Sequence, residues 1–506
     1  MYPGAHDPDR PATIMAGSGE ITTFGELDRS ANQISRVFRD AGLQPGDHVA
    51  LCVENCAAFM KVLWGALYAG LYYTAVSTRL NADELAYIVN DCGAEVLVLS
   101  ARYADRAPGL ADTTPQLRRR LSLGGAIDGY EALEDAMAAQ PTEPLDARTQ
   151  GRDMLYSSGT TGRPKGIRPR EITEPLDSPH MITPVLQNVL GMSDESVYLT
   201  PAPMYHAAPL RFSMGAQQMG ATLVLMEKFD VAATFDLIRD RGVTHTQMVP
   251  TMFVRMLKAD PAVREAADLS SLRAIVHAGA PCPPDVKKAM IEWLGPIIHE
   301  YYGSTEGSGL TWVTSPEWLE HEGTVGRAVI GQPRIVAEET GDELPAGETG
   351  LVFFSDGPQF EYHNDPEKTR ASHNDAGWSH FGDIGYMDAD GFLYLTDRAS
   401  FTIITGGVNV YPQEAEDVLI SHPKVMDAAV FGIPNEDFGE EVKAVVQPVE
   451  MPGDPAALEA ELIAHCRAKL ADVKCPRSVD FRAELPRHDT GKLYKRQLKQ
   501  EYAEAP

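Results

Sequence analysis

Apolar residues recur at helical spacing in Leu27, Ala31, Ile34, Phe38 and Ala41, and Gly42 follows as a stop signal, so the pattern predicts a helix there. His48–Val53 reads as a strand, Cys56–Tyr68 as a second helix, and the apolar run Val62–Val76 as a buried helix passing into a strand. Asn81 followed by Glu84 forms a capping pair that opens a helix over Ala82–Cys92, before a strand over Glu95–Leu99. The rhythm returns with strand Ala221–Met226, helix Ala232–Arg241, strand Val243–Val249, strand Leu272–His277, helix Pro283–Leu294 and strand Pro296–Tyr302. Strands that are almost continuously apolar and separated by helices predict parallel-rich sheets covered on both faces. The fold class expected is therefore α/β, with a large multi-sheet N-terminal domain.

Near residue 400 the pattern changes. A Gly406–Gly407 loop, a helix over Pro412–Ile420, strands over Ala428–Ile433 and Val442–Val449, and a helix over Ala456–Leu470 follow. About 105 residues suffice for a small α+β domain. The boundary expected is Asp397–Phe401, dividing the chain into 1–397 and a mobile C-terminal domain, 398–506.

At 506 residues the chain exceeds the roughly 100–200 residues of one domain. Lys plus Arg number 44 and Asp plus Glu 72, a net charge of −28 that repels nucleic acid and anionic lipid headgroups. An anionic ligand would need locally concentrated positive charge or N–H groups. Six cysteines in this length are no disulfide framework and read as structural thiols in a reducing compartment. The start MYPGAHDPDRPATIMAGSG lacks a basic and apolar leader, and Val62–Val76 is too short to span a bilayer and is broken by Gly65 and Gly70. A cytoplasmic protein without a transmembrane segment is expected. Arg118–Arg120 reads as a solvated basic loop.

Two segments carry chemistry. In Tyr156-Ser157-Ser158-Gly159-Thr160-Thr161-Gly162-Arg163-Pro164-Lys165-Gly166, small residues admit a polyphosphate close to the backbone and a lysine adds charge. The spacing is not that of a P-loop, because two residues separate Gly162 from Lys165 and Gly166 stands where a metal-binding hydroxyl belongs. In Tyr301-Tyr302-Gly303-Ser304-Thr305-Glu306-Gly307, a carboxylate at a strand end suits Mg2+, and an aromatic ring just before it suits a base. Glu361, His363 and Asp365 fall in a surface loop and read as solvated groups rather than a metal site.

Together with PMYHAAPL at 203–210, HAGAP at 277–281, GWSHFGDIGY at 377–386, DRASFTIITGGVNVYPQEAE at 397–416 and LPRHDTGKLYKR at 485–496, these segments resemble the adenylate-forming superfamily. That superfamily comprises acyl- and aryl-CoA synthetases, carrier-protein adenylation domains and beetle luciferases, and the likeness is greatest to bacterial fatty-acid or steroid-acid CoA ligases. The resemblance implies roles for particular residues. Ser157, Ser158, Gly159, Thr160, Thr161 and Lys165 would belong to the loop contacting ATP phosphates. Thr305 would bond the α-phosphate and Glu306 would hold Mg2+. Tyr302 would stack on adenine opposite Gly279, Ala280 and Pro281, Asp383 would accept the ribose hydroxyls, and Arg398 would support the ribose. His206 would sit beside the acyl carboxylate. Lys492 would bridge that carboxylate and the α-phosphate, and the Gly406–Gly407 loop would face the CoA pantetheine. Three positions depart from the family pattern: Ser400 and Phe401 replace charged hinge residues, and Phe381 replaces a threonine.

The implied enzyme is an AMP-forming acid–thiol ligase that uses ATP, Mg2+ and CoA to activate an apolar carboxylic acid through acyl-AMP. An acyl-AMP ligase loading a separate carrier protein shares the first step. A non-catalytic acyl- or nucleotide-binding protein would be expected to have lost Glu306 or Lys492, and both are present. A homodimer is compatible with the chain.

Overall fold

The computed structural model describes residues 1–157, 164–168, 171–398, 401–406, 408–435, 437–487 and 493–503, and the chain forms two compact units. The first comprises Met1–Gln247, Asp268–Ala274 and Phe360–Thr369. Its opening strand β1 (Pro11–Met15) leads to α1 (Phe24–Asp40), which starts a turn earlier than the apolar spacing suggested. The reason is a capping box: the Glu26 amide donates to Thr23 Oγ1 at 3.2 Å and the Thr23 amide to Glu26 Oε2 at 2.8 Å. Next come β2 (His48–Cys52), α2 (Ala57–Tyr68), β3 (Tyr72–Ala75), α3 (Ala82–Asp91), β4 (Ala94–Ser100) and β5 (Arg119–Leu123). The Asn81–Glu84 box opens α3 as expected.

Strands β3, β2, β4 and β5 lie side by side and parallel, and α3 packs its apolar face on them through Leu85, Ile88 and Val89. On α2, Gly65 permits a close crossing with α1: a Cβ there would lie 2.5 Å from Ile34 Cγ2. Arg119 and Arg120 are not in a loop. They begin β5, where Arg119 donates to both carboxylate oxygens of Glu131 at 2.6 and 2.7 Å. Polar side chains at a strand's end hide its period, and a cross-strand carboxylate makes the position favourable.

A short hairpin of β6 (Tyr156–Ser157) and β7 (Lys165–Gly166) precedes β8 (Val197–Thr200), α4 (Ala207–Gln218), β9 (Thr222–Leu225), α5 (Val231–Arg241) and β10 (His245–Met248). Within this unit β10, β8, β9 and β1 run parallel in that order.

The second unit comprises Met248–Ala267, Ile275–Gln359 and Arg370–Pro506. It includes β11 (Ala274–His277), α6 (Pro284–Leu294) and β12 (Ile298–Gly303): the two strands pair in parallel, with His277 opposite Glu300. β13 (Leu310–Val313) and β14 (Arg327–Ile330) extend them antiparallel. An antiparallel sheet follows from β15 (Gln332–Val336), β16 (Gly350–Ser355), β17 (Ser379–Met387) and β18 (Leu393–Arg398). Beyond it lie β19 (Ile403–Thr405), β20 (Val408–Val410), α7 (Pro412–Ser421), β21 (Val425–Asn435), β22 (Gly439–Pro448), α8 (Pro455–Arg467), β23 (Ser478–Phe481) and α9 (Lys495–Ala503). The α/β class with parallel-rich sheets and a smaller C-terminal portion is thus as the sequence predicted. Among the described residues no helix is long and apolar enough to cross a membrane.

Two histidines of the first unit are half-buried and uncharged. Burial holds His48 and His180 down to about 4, against an ordinary 6.5. A depressed folded value means that the unfolded chain binds more protons between pH 6.5 and about 4, so the stabilising contribution is full above 6.5 and is lost as pH falls through that window. The urea midpoint should therefore fall between pH 7 and pH 5, and His48→Gln should make that fall shallower. A midpoint unchanged over this range would contradict the assignment.

Candidate active site

Parallel strands β11 and β12 end at one edge, the place where open α/β sheets hold ligands. The chain leaves β11 through Gly279-Ala280-Pro281, with Gly279 at φ +86°, a conformation that glycine adopts without a Cβ penalty. Tyr302 lies near the end of β12. Of the predicted nucleotide groups, the strand edge therefore gathers Gly279, Ala280, Pro281 and Tyr302.

A hydrogen bond and an ion pair in series join this edge to the antiparallel sheet. The Tyr302 hydroxyl donates to Asp383 Oδ2 at 2.7 Å, and Arg398 Nε lies 3.2 Å from Asp383 Oδ1. Asp383 and Arg398 face each other across β17 and β18, so the pairing register itself fixes that contact. Burial, and then the adjacent Asp383 carboxylate, push the Tyr302 hydroxyl well above its ordinary range, so it stays a donor. Phe381 and Phe354 pack on the Tyr302 ring at 6.4 and 6.0 Å between centroids. The departure at Phe381 thus supplies apolar support to the ring in place of a hydroxyl. Asp397, one residue before Arg398, accepts the Gln413 amide of α7 at 3.1 Å.

After β12 the chain turns through Ser304–Gly307, closed by the Gly307 amide on the Ser304 carbonyl at 3.2 Å. Thr305 and Glu306 occupy this turn, both half-buried. Ser304 Oγ is buried with no hydrogen-bond partner. Three consecutive oxygen donors, one anionic and one unsatisfied, match the oxygen preference of a hard cation and of phosphate-bound water. The residues fit Mg2+.

In the first unit, Lys165 and Gly166 pair antiparallel with Ser157 and Tyr156. The Tyr156 hydroxyl donates to Asp91 Oδ2 at 2.6 Å, and the Lys165 ammonium lies 5.8 Å from the centre of the Tyr362 ring. These strands flank the segment 158–163. Ser158, Gly159, Thr160 and Thr161 lie outside the described residues, as do Ser400, Gly407 and Lys492. His206 is the N-cap residue of α4, its ring 4.4 Å from that of Tyr205. Gly406 turns the β19–β20 hairpin at φ +57°, its amide donating to Phe438 O at 2.8 Å. Glu361 pairs with Arg168 at 2.8 Å on the surface, His363 Nε2 bonds the Asp91 carbonyl at 2.9 Å, and Asp365 caps the helix Pro366–Ala371 by accepting the Lys368 amide at 2.9 Å.

Residues 3–360 match the family described as AMP-binding enzyme, and residues 414–492 match the AMP-binding enzyme C-terminal domain. The chain belongs to the AMP-binding enzyme family. It is 32% identical over 499 residues to a feruloyl-CoA synthase of an Amycolatopsis species, covering 97% of this chain and 96% of the relative. It is 31% identical over 487 residues to the long-chain-fatty-acid–CoA ligase FadD13 of Mycobacterium tuberculosis, covering 95% and 93%. The crystal structure of the anthranilate CoA ligase AuaEII in complex with anthranoyl-AMP superposes with a TM-score of 0.84 at 26% identity, covering 98% of this chain and 94% of that one. The protein is an enzyme, an AMP-forming acid–CoA ligase that takes ATP and CoA.

Behind the strand edge of this AMP-binding enzyme lies a group the sequence pattern did not reveal. Lys287 of α6 is fully buried, its Nζ 2.6 Å from Glu300 Oε2 and 4.9 Å from the Trp318 ring centre. His277 Nε2 stands 3.5 Å from the same oxygen, and burial, with Lys287 adding to it, drives its pKa far down, so the imidazole is neutral. In Asp285-Val286-Lys287-Lys288 the two lysines are indistinguishable by composition, and only packing shows which faces inward. Deleting one member of a buried pair orphans the other's charge. Lys287→Met should therefore lower unfolding free energy by about 3–5 kcal/mol, measured by urea titration. A loss below about 1 kcal/mol would mean that Glu300 is neutral or solvated there.

Proposed function

We propose that this ligase activates an apolar monocarboxylic acid, with the residues named from the sequence in the roles given there. The observation that carries the reading is the Tyr302–Asp383–Arg398 chain beside the Thr305–Glu306 turn: a base-sized ring, a carboxylate for two ribose hydroxyls and an oxygen-rich turn for phosphates. Tyr302 and Gly279-Ala280-Pro281 enclose adenine, Asp383 accepts the ribose hydroxyls, and Arg398 braces that carboxylate. Thr305 bonds the α-phosphate, and Lys165 with the Ser157–Thr161 segment contacts the outer phosphates. Glu306 would hold Mg2+, which when bound offsets phosphate charge.

The acid's carboxylate is already ionised, so the protein's task is alignment and charge neutralisation. The carboxylate attacks the α-phosphorus and pyrophosphate leaves, with Lys492 bridging the two anions and His206 beside the acyl group. The segment 398–506 then turns about Asp397–Phe401, withdrawing Lys492 and bringing up the Gly406–Gly407 turn, whose lack of side chains lets pantetheine pass. The CoA thiolate attacks the acyl carbon and AMP leaves.

Apolar character in the acid is supported by Leu210, Phe212 and Met214, all buried on the helix that His206 opens. None could pair a second buried charge, which would be costly. Feruloyl and long-chain fatty acyl groups, named for the two relatives, share a single carboxylate on an apolar body. In an AMP-release assay over dodecanoate, ferulate, benzoate, a steroid carboxylate and malonate, turnover should favour one of the first four. Best turnover with malonate would overturn the apolar reading, and AMP release with a carrier protein but not CoA would transfer the acceptor role.

Lys492→Ala separates the half-reactions. A group that neutralises charge only in the first transition state slows only that step, by about 10²–10³-fold for one lost electrostatic donor. Pyrophosphate exchange should collapse by that factor while thioester formation from supplied acyl-AMP survives. Equal loss in both halves, or in neither, would remove Lys492 from the role.

A further inference from the structure

The chain on either side of segment 488–492 is held by two largely buried ion pairs reaching different elements. Before it, Arg487 pairs with Asp427 of β21, the side chains 20% and 11% exposed. After it, Lys495 Nζ lies 2.8 Å from Glu416 Oε1 of α7, the side chains 8% and 6% exposed. The same Glu416 oxygen accepts the Val430 amide at 2.7 Å, so the carboxylate is fixed from the sheet as well as from the helix. Arg487 and Leu493 form an antiparallel bridge, and the Tyr494 amide donates to Pro486 O at 2.9 Å, which ties the two flanks to each other. Leu485 and Leu498 sink into one cluster with Ala429, Phe431 and Val445.

The second pair also accounts for a departure in the sequence. The Phe401 ring centre lies 5.4 Å from Lys495 Nζ. An acidic side chain at 401 would compete with Glu416 for the ammonium. An aromatic face attracts the cation weakly and shields it from water. A buried ion pair is seldom the most stabilising filling for its space, since apolar residues of equal volume often do as well. What it adds is a fixed direction between two particular atoms.

We propose that Glu416, Lys495 and Phe401 are positioning residues for adenylation: the pair fixes the start of α9 three residues after Lys492, and Arg487–Asp427 fixes the opposite flank, so that Lys492 is aimed when the first half-reaction occurs. This rests on the reading of Lys492 given above. A misplacement of about 1 Å can cost on the order of 10²-fold in rate.

The test compares the wild type, Lys492→Ala, the double variant Glu416→Leu/Lys495→Met, Lys495→Arg and Phe401→Leu, using the acid from the five-compound panel with the fastest AMP release. Pyrophosphate exchange and thioester formation from the corresponding acyl-AMP are measured separately, with the urea midpoint of each variant. The double variant removes both charges together, so no buried charge is orphaned. It should lose about 10²-fold in exchange while the thioester step stays within about twofold. Lys495→Arg should restore most of the exchange rate, and Phe401→Leu should lose severalfold in exchange alone. If Lys492→Ala is selective but the double variant and Phe401→Leu keep exchange, or lose both halves equally, the positioning inference fails and the Lys492 reading stands. If Lys492→Ala keeps exchange, both fail.

Discussion

The site depends on one short polar chain, a hydrogen bond from the Tyr302 hydroxyl to Asp383 and an ion pair between Arg398 and Asp383. It joins a strand of the parallel pair to two strands of an antiparallel sheet, and it does so at a carboxylate that is 7% exposed. Such a carboxylate is retained only if partners meet it, and here they are a hydroxyl hydrogen bond on one oxygen and a guanidinium beside the other. With its two oxygens engaged by different partners, Asp383 is held in place, and the ring of Tyr302 is held by its own hydroxyl against Phe354 and Phe381. Ring, carboxylate and guanidinium are therefore held in one arrangement, which under the proposed roles lowers the ordering cost of binding a nucleotide.

The same logic explains how a protein of net charge −28 takes a polyanion. Attraction is not spread over the surface. Under the proposed roles it is concentrated in a few fixed groups near a strand edge, Arg398 among them. The buried Lys287–Glu300 pair behind that edge, with neutral His277 beside it, joins the helix to the strand at Glu300, two residues before Tyr302. The antiparallel register that sets Asp383 against Arg398 plays the corresponding part on the other sheet.

Much of this was legible in the chain. The helices α1 to α3 and the strands between them follow from apolar spacing, and the Asn81–Glu84 cap from two residue types at the right separation. The motifs also placed Gly279, Tyr302, Thr305, Glu306, Asp383 and Arg398 in one family pattern, and the structure brings Tyr302, Asp383 and Arg398 into contact. Illegible were features decided by tertiary packing. Arg119 looked like a loop residue because its strand partner Glu131 is remote from any local pattern. Nothing in the sequence marks Lys287 or Lys495 as buried, because an ammonium's burial depends on a carboxylate from another element. Phe401 looked like a loss of charge at a hinge, whereas its ring faces the Lys495 ammonium.

The central claim is that the carboxylate of the acid attacks the α-phosphorus of ATP. Turnover of a carboxylate labelled with 18O on both oxygens, with ATP and CoA, followed by 31P NMR and mass analysis of the products, tests it directly. One labelled oxygen should appear in the phosphate of AMP and none in pyrophosphate. Label in inorganic phosphate with ADP as the nucleotide product would mean attack at the γ-phosphorus and would contradict the account.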